Sequence, residues 1–354
     1  MILINGSFIG RRITGLQRYA WELSRRLCTA HGDVQVLAPR GEAHEGISPG
    51  KVRSVKAPIL SRIIKHSWDM HLGKSVGKED LLWSPCNLGP AIGNHVVTLH
   101  DIAPFRNPEW FSRGFVLKYR AFLPKVVERC QCLLTVSETS KADILNHFNL
   151  PEERVHVVPV GVDDFQAEPD ADPLPEVLEG LHKGAYYLAV GSLDPRKNLD
   201  YLARVWARFK GAGGMGQLVI VGGSSRAFRK TSFPDLQDCL IAGYQPDSVL
   251  TRLLKGARAL ITPSLYEGFS IPPLEAMRLG TPAIISDIPV HRENFAGLAT
   301  FIHPQMEDSL FEVLMEGAFA PPDTARLEKL LQEKFNWDLS AERIYGILRS
   351  MSER

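Results

Sequence analysis

The chain reads as an α/β protein: two Rossmann-like, doubly wound domains in tandem, facing one another across a central cleft. Three observations carry that expectation. Short apolar runs alternate with segments of helical period, the pattern of parallel strands joined by crossover helices. The alternation runs twice, interrupted once by an acidic, proline-rich stretch. The 354 residues, 44% hydrophobic and 23% charged, can fill two cores of ordinary size.

In the first half, Ile2–Asn5, Val34–Ala38, Leu81–Ser84, Val96–His100, Leu133–Ser137 and Val155–Val160 read as strands. Leu16, Tyr19, Leu23 and Leu27 recur at spacings of three and four, so a helix follows the first strand. Another helix runs from Thr139 to Phe148, with Ser137 or Thr139 as its cap. The stretch DDFQAEPDADPLPEVLEG has no periodicity and reads as a linker. In the second half, Tyr187–Val190, Leu218–Val221, Leu240–Ala242, Ala259–Thr262, Ala283–Ser286 and Thr300–Ile302 read as strands. Helices are expected over Leu199–Phe209, Ser248–Lys255, Pro273–Leu279 and Asp308–Met315. A last helix, Asp338–Met351, is long enough to return to the first domain. The expected division is therefore 1–165 with the returning helix 338–352, a linker at 166–183, and a second domain at 184–337. Ligands belong at the carboxyl ends of the strands.

No apolar run approaches the roughly 18–20 residues of a membrane-spanning helix. The N-terminal apolar stretch precedes its arginines, the reverse of a secretory signal, so the expected location is cytoplasmic. Cys28, Cys86, Cys130, Cys132 and Cys239 form no CxxC pair and read as reduced thiols. Net charge is +1, but residues 1–163 hold 21 Lys and Arg against 15 Asp and Glu (+6), and the remainder 20 against 25 (−5). A basic front half suits an anionic partner, yet no nucleic-acid module accompanies it, so nucleic acid is not expected. The basic, aromatic segment 105–130 fits either core-packed helices or peripheral contact with an anionic membrane at its inner face.

The chemistry concentrates in ITPSLYEGFSIPPLEAMRLGTPAIISD. A buried strand ends at Pro263, a loop carries Glu267, Gly268, Phe269 and Ser270, and a helix opens at Pro272 or Pro273, with Glu275 in its first turn. Loop N–H groups and the helix dipole make an anion site suited to a diphosphate. The carboxylates flanking it can accept hydrogen bonds from sugar hydroxyls, although an acid near a helix start is also explained by the dipole alone. In VGSLDPRKNLDYL, Arg196 and Lys197 share a strand-to-helix loop that Asn198 is placed to cap, a pair suited to a diphosphate leaving group or simply to solvent. In VVTLHDIAPF, His100 and Asp101 end a buried strand, where a tunable imidazole can bond a sugar hydroxyl or a phosphate. Gly15 opens the first helix without a GxGxxG fingerprint. The DxD at Asp170-Ala171-Asp172 lies in the linker, without the strand end that a metal site of that type uses, so no metal or other cofactor is expected.

Glu267-x7-Glu275 within PSxYEGFSxPPLEAMxxGTPxIxSD resembles the retaining glycosyltransferases of the GT-B fold, family 4. The resemblance implies a nucleotide-sugar donor, with Glu275 on the ribose and Glu267 at the donor sugar. Gly268, Phe269, Ser270 and Ile271 then meet sugar and phosphates. It implies Arg196 and Lys197 on the diphosphate, Gly243 and Tyr244 by the nucleobase, Gly15 at the phosphate or acceptor, and His100 with Asp101 as the active-site pair. Within the family the chain is most similar to bacterial mannosyltransferases of O-antigen or exopolysaccharide synthesis. The implied reaction moves mannose from GDP-mannose to a glycan or lipid-diphosphate-linked acceptor. A UDP- or dTDP-hexose donor, a nucleotide-sugar epimerase and a non-enzymatic sugar-binding protein are the alternatives.

Overall fold

The structure, a computed structural model, describes residues 1–39, 46–55, 65–162, 175–223, 227–229, 234–317, 319 and 321–353. The DxD and most of the expected linker lie outside the described residues. The chain divides into two compact units. The first comprises Met1–Ile102, Leu117–Asp163 and Glu333–Arg354, and the second Ala103–Val116 and Asp164–Gln332.

In the first unit, strands β1 (Ile2–Asn5), β2 (Val34–Pro39), β3 (Val52–Val55), β4 (Leu81–Ser84), β5 (His95–Thr98), β6 (Cys132–Thr135) and β7 (Val155–Val157) form a seven-stranded parallel sheet among the described residues, ordered β3-β2-β1-β4-β5-β6-β7. The order reverses between β1 and β4, the switch point of a doubly wound sheet. Helices α1 (Gly15–Ala30), α2 (Lys65–Ser75), α3 (Ala103–Arg106), α4 (Arg113–Arg129) and α5 (Glu138–Phe148) follow in chain order; α3 and the first turn of α4 belong to the second unit. Helix α1 buries Tyr19, Leu23 and Leu27, the face its spacing predicts. Ser137 caps α5, its Oγ accepting from the Ser140 N–H at 3.0 Å, the first of the two expected caps.

In the second unit, β8 (Tyr186–Val190), β9 (Gln217–Val221), β10 (Cys239–Gly243), β11 (Ala259–Thr262), β12 (Ala283–Ser286) and β13 (Thr300–Ile302) form, among the described residues, a six-stranded parallel sheet ordered β10-β9-β8-β11-β12-β13. Around it lie α6 (Leu199–Gly211), α7 (Asp247–Gly256), α8 (Ile271–Arg278), α9 (Pro289–Phe295), α10 (Glu307–Glu316) and α11 (Thr324–Glu333). Alternate strand residues feed opposite faces: Tyr187, Ala189, Leu218, Ile220 and Ile261 pack with Trp206 and Phe209, while Tyr186, Leu188, Val219 and Leu260 pack with Leu253 and Leu254. Both faces are therefore buried, which is why these strands read as continuous apolar runs.

The last helix, α12 (Trp337–Ser352), packs on the first unit. Val162 N–H donates to Phe335 O at 3.0 Å, Ser340 Oγ to Pro159 O at 2.8 Å, and Arg26 Nε to Asp338 at 2.7 Å. A Cβ on Gly161 would meet the Trp337 backbone N at 2.4 Å, so that crossing requires glycine.

Two boundaries differ from the sequence expectation. Residues 333–337, expected in the second domain, group with the first unit. Residues 103–116 group with the second unit rather than the first. Phe111 pairs antiparallel with Phe228, Ser112 N–H donates to Ala227 O at 2.9 Å, and Arg229 N–H to Trp110 O at 2.8 Å. Aromatic burial along this strap outweighs chain continuity, with Phe111 and Phe115 packing beside Phe228 and Tyr266. Strand β3 and helices α2, α9 and α11 escape the periodicity reading. Strand β3 (VRSV) has two exposed polar residues in four, and α9 is seven residues long.

Candidate active site

In the second unit the strand order reverses between β8 and β11, and the loops following those two strands carry the expected cations and the expected acid. The loop after β8 begins at Gly191 (φ +154°), against Gly222 (φ +147°) at the end of β9. A Cβ on Gly222 would stand 1.7 Å from Gly191 O, so only glycine allows the two strand ends to pass this closely.

Asp194 shapes the next turn. Its buried carboxylate accepts from the Arg196 N–H at 3.0 Å and starts the short 3-10 helix Pro195–Lys197. Asn198 does not cap α6 with its side chain, as the sequence had suggested. It adopts the left-handed region (φ +56°), and its amide donates to Pro263 O at 3.0 Å and Pro304 O at 2.7 Å. Leu265 N–H donates to Arg196 O at 2.9 Å. The two switch-point loops are thereby tied together.

Glu267 is 6% exposed and sits against both cations, with Lys197 Nζ at 2.5 Å and Arg196 Nη1 at 3.5 Å. Ser264 Oγ donates to it at 2.7 Å. Burial alone raises this carboxyl, but the Lys197 and Arg196 charges and the hydrogen bonds from Lys197 and Ser264 outweigh it and hold the group down at about 2. Glu267 is thus an anion throughout the neutral range. With Asp194 3.7 Å from Arg196 Nε, two carboxylates balance two cations, so the backbone must supply the further attraction for a diphosphate.

That backbone is at hand. Helix α8 starts at Ile271, one residue earlier than the prolines indicated, and has no side-chain cap. Pro272 and Pro273 lack N–H groups, so the donors near this end come from the loop, Ile271 and Leu274. Ser270 stands at the cap position with φ +79°, uncommon for a residue with a side chain. Its buried Oγ has no hydrogen-bond partner among the described residues. Gly268 and Phe269 are buried beside it. Glu275, expected in the first turn, lies in the second and is 4% exposed. The dipole favours an acid near a helix start but does not by itself account for burying one.

Arg196 also lies over the Phe228 ring, 5.6 Å from its centroid, and Phe228 packs on Phe111 at 4.9 Å. The strap 103–116 thus helps to aim a cation of the cluster. Phe228→Ala is expected to raise the donor KM about 3- to 30-fold through loss of about 0.5–2 kcal/mol of cation–π contact. Steady-state kinetics checks this, and an unchanged KM would remove Phe228 from the site. Gly243 (φ +65°) and Tyr244, 41% exposed, end β10, where Gly243 O accepts from the Gly222 N–H at 2.7 Å.

The remaining expected residues are in the first unit. His100 Nε2–H donates to Pro85 O at 2.9 Å, its backbone N–H donates to Asn87 Oδ1 at 2.8 Å, and its ring meets Tyr19 edge-on at 4.7 Å. Burial lowers its pKa, so the ring is neutral with Nδ1 as an acceptor. The bond that orients the ring comes from Pro85; Asp101 is half-buried next in sequence. Gly15 is exposed at the start of α1, whose cap residue Thr14 turns its hydroxyl to the Gln17 side chain.

Ser264, Asp194, Phe228 and His291 were not singled out from sequence. His291, fully buried, donates Nδ1–H to Ser286 O at 2.8 Å, and Ser286 Oγ donates to Ser264 O at 2.5 Å, so a polar chain backs the Glu267 loop. Ser264, three residues before the acid, and Asp194, two residues before Arg196, carried a local signal; Phe228 and His291 did not.

The model for glycosyl transferases group 1 matches residues 174–313, and that for glycosyltransferase family 4 matches residues 13–165. The chain is 32% identical over 248 residues to the O-antigen chain mannosyltransferase RfbU of Salmonella typhimurium, covering 66% of this chain and 63% of that protein. It is 28% identical over 257 residues to O-antigen chain mannosyltransferase B of Escherichia coli, covering 69% and 67%. The first of these matches thus spans less than two thirds of the relative's length. Sucrose-phosphate synthase from Thermosynechococcus elongatus superposes with a TM-score of 0.71 over 99% of this chain and 98% of that one, at 17% identity. At that identity the likeness is one of fold.

Proposed function

The chain belongs to the family 4 glycosyltransferases of the GT-B fold, and from that premise we propose that it transfers mannose from GDP-mannose to a glycan hydroxyl with retention of configuration. The observation that carries the reading is the buried Glu267, ionised between Arg196 and Lys197 at the β8/β11 switch point and followed by an uncapped helix. The two mannosyltransferase relatives favour mannose.

In this mechanism the glycosidic bond to the diphosphate breaks as the acceptor hydroxyl attacks the same face of the sugar. Charge grows on the leaving phosphate, and Arg196, Lys197 and the N–H groups around Ile271 stabilise it. The leaving phosphate oxygen takes the acceptor proton, so no separate protein base is required. Glu267 accepts from a sugar hydroxyl, and Glu275 binds the ribose. Because Asp194 and Glu267 already balance Arg196 and Lys197, the N–H groups at the start of α8 meet the rest of the phosphate charge, and this mechanism assigns no role to a metal.

The test is a thermal-shift panel of GDP, UDP, dTDP and ADP with their common sugars, in chelator. Stabilisation tracks affinity, about 2.7 kcal/mol at a hundredfold excess over Kd. GDP and GDP-mannose are expected to raise Tm, and Glu275→Ala to reduce that rise. A shift with UDP or dTDP alone would keep the site and replace the donor. No shift with any nucleotide would overturn the transferase reading. No described helix is long and apolar enough to cross a membrane.

A further inference from the structure

The sheet ladder stops short of the Glu267 loop. Among the described residues the last register pair of β11 with β12 is Thr262 with Ile285, and Pro263 has no N–H to extend it. Side chains carry the register onward. Ser286, the last residue of β12, donates its hydroxyl to Ser264 O at 2.5 Å, and Ser264 donates its own to Glu267 Oε1 at 2.7 Å. Behind Ser286 stands His291 of α9, its Nδ1 2.8 Å from Ser286 O and 3.3 Å from Ser286 Oγ. Ser264, Ser286 and His291 are all fully buried.

The hydrogens of this chain have one consistent placement. Ser264 O and Ser286 O can only accept. Ser286 Oγ therefore gives its single hydrogen to Ser264 O, and His291 Nδ1 carries the proton that reaches Ser286 O. Phe295, itself fully buried, meets the imidazole edge-on at 5.6 Å and steadies it. Nε2 is then an acceptor, buried and without a hydrogen-bond partner among the described residues. Burying it so costs free energy that a phenyl ring of nearly the same size would not. Packing alone therefore does not account for an imidazole at position 291. Burial also pushes the ring down to about 4, so the chain adds no charge to the cluster of Glu267, Arg196 and Lys197 in the neutral range.

We propose that His291 is a positioning residue for the donor sugar: through Ser286 and Ser264 it fixes where the Glu267 carboxylate stands to accept from a sugar hydroxyl. The role rests on the proposed transferase reaction. In that reaction the diphosphate is held by Arg196, Lys197 and the N–H groups at the start of α8, none of which is a link in this chain.

Isothermal titration of the full chain with GDP and with GDP-mannose tests the role, because only the second ligand brings a sugar to Glu267. His291→Phe keeps the ring volume and removes the Nδ1–H. It is expected to weaken GDP-mannose about tenfold or more, the scale of one charge-assisted hydrogen bond, and GDP by less than about twofold. His291→Asn, whose amide N–H stands where Nδ1–H stood, should recover most of that loss. Ser286→Ala removes the middle hydroxyl with little change of volume and should repeat the sugar-selective loss, which keeps the test alive if His291→Phe does not fold. The GDP isotherm reports folding in every variant. Ser264→Ala added to either should cost less than about twofold beyond the larger single loss, since all three act through one carboxylate.

Equal weakening of GDP and GDP-mannose would make the role merely structural and overturn the proposal. So would unchanged affinities, losses that multiply in the double variants, or an Asn variant no better than Phe. A parent that binds no nucleotide would overturn the transferase reading, and this role with it; a parent that binds GDP-mannose alongside variants that match it would overturn the role alone. If the parent takes UDP or dTDP instead, the same comparison is made between that nucleotide and its hexose.

Discussion

Arg196→Ala is expected to lower kcat about 100- to 1,000-fold, the usual cost of removing one preorganised donor from a developing anion, with a much smaller change in donor KM. The reason lies in when the charge appears. A diphosphate bound in the ground state is shared among Lys197, Arg196 and backbone donors, but the oxygen that leaves gains its charge only as the bond breaks. The substitution should not collapse the site, because Glu267 keeps Lys197 at 2.5 Å and Ser264 at 2.7 Å. Arg196→Lys retains the charge and loses the planar fork, so it should recover only part of the rate. Steady-state kinetics with GDP-mannose, alongside Tm, separates these effects. An unchanged kcat in Arg196→Ala would remove this residue from the chemistry.

Acid should destabilise both units well above the usual carboxylate range. His95, fully buried in the first unit with Nε2 2.8 Å from Ser84 Oγ, is pushed down by burial from 6.5 to about 3. His291, fully buried in the second, is pushed down by burial from 6.5 to about 4. In the unfolded chain both rings take up protons near pH 6.5, whereas in the folded chain they stay neutral. Their stabilising contribution is therefore complete above about pH 6.5 and falls as pH drops toward 4 and then 3. Each is worth about 3–5 kcal/mol at most, at about 1.4 kcal/mol per unit of displacement. Glu267 adds a lower window: its contribution, complete above 4.5, is lost as pH falls toward about 2, by about 3 kcal/mol. Calorimetric Tm between pH 8 and 4 should show the decline. His95→Asn and His291→Gln should each flatten it, whatever they do to Tm at pH 8. A parent Tm that is level between pH 7 and 4.5 would overturn this account.

The fold could be read from local pattern because strands such as β8, β9 and β11 are buried on both faces, and a continuous apolar run bounded by helical period has few other solutions. What failed were elements whose stability comes from neighbours, such as β3, half exposed at a sheet edge, and the strap 103–116, held by Phe228 from more than a hundred residues later.

The candidate site divides along the same line. Residue types and spacing at 196–197 and 267–275 marked two loops suited to a diphosphate, each with a plainer explanation that only the family resemblance set aside, because a strand-to-helix loop with paired cations, and an acid ahead of a proline-started helix, are local arrangements. That Glu267 lies between Arg196 and Lys197, about seventy positions away, was decided by the strand order, which sets β8 beside β11 and joins their loops through Asn198 and Leu265. Charge state followed from that meeting and not from residue type: burial alone would have raised the Glu267 carboxyl, and only two cations brought in by the tertiary fold keep it ionised.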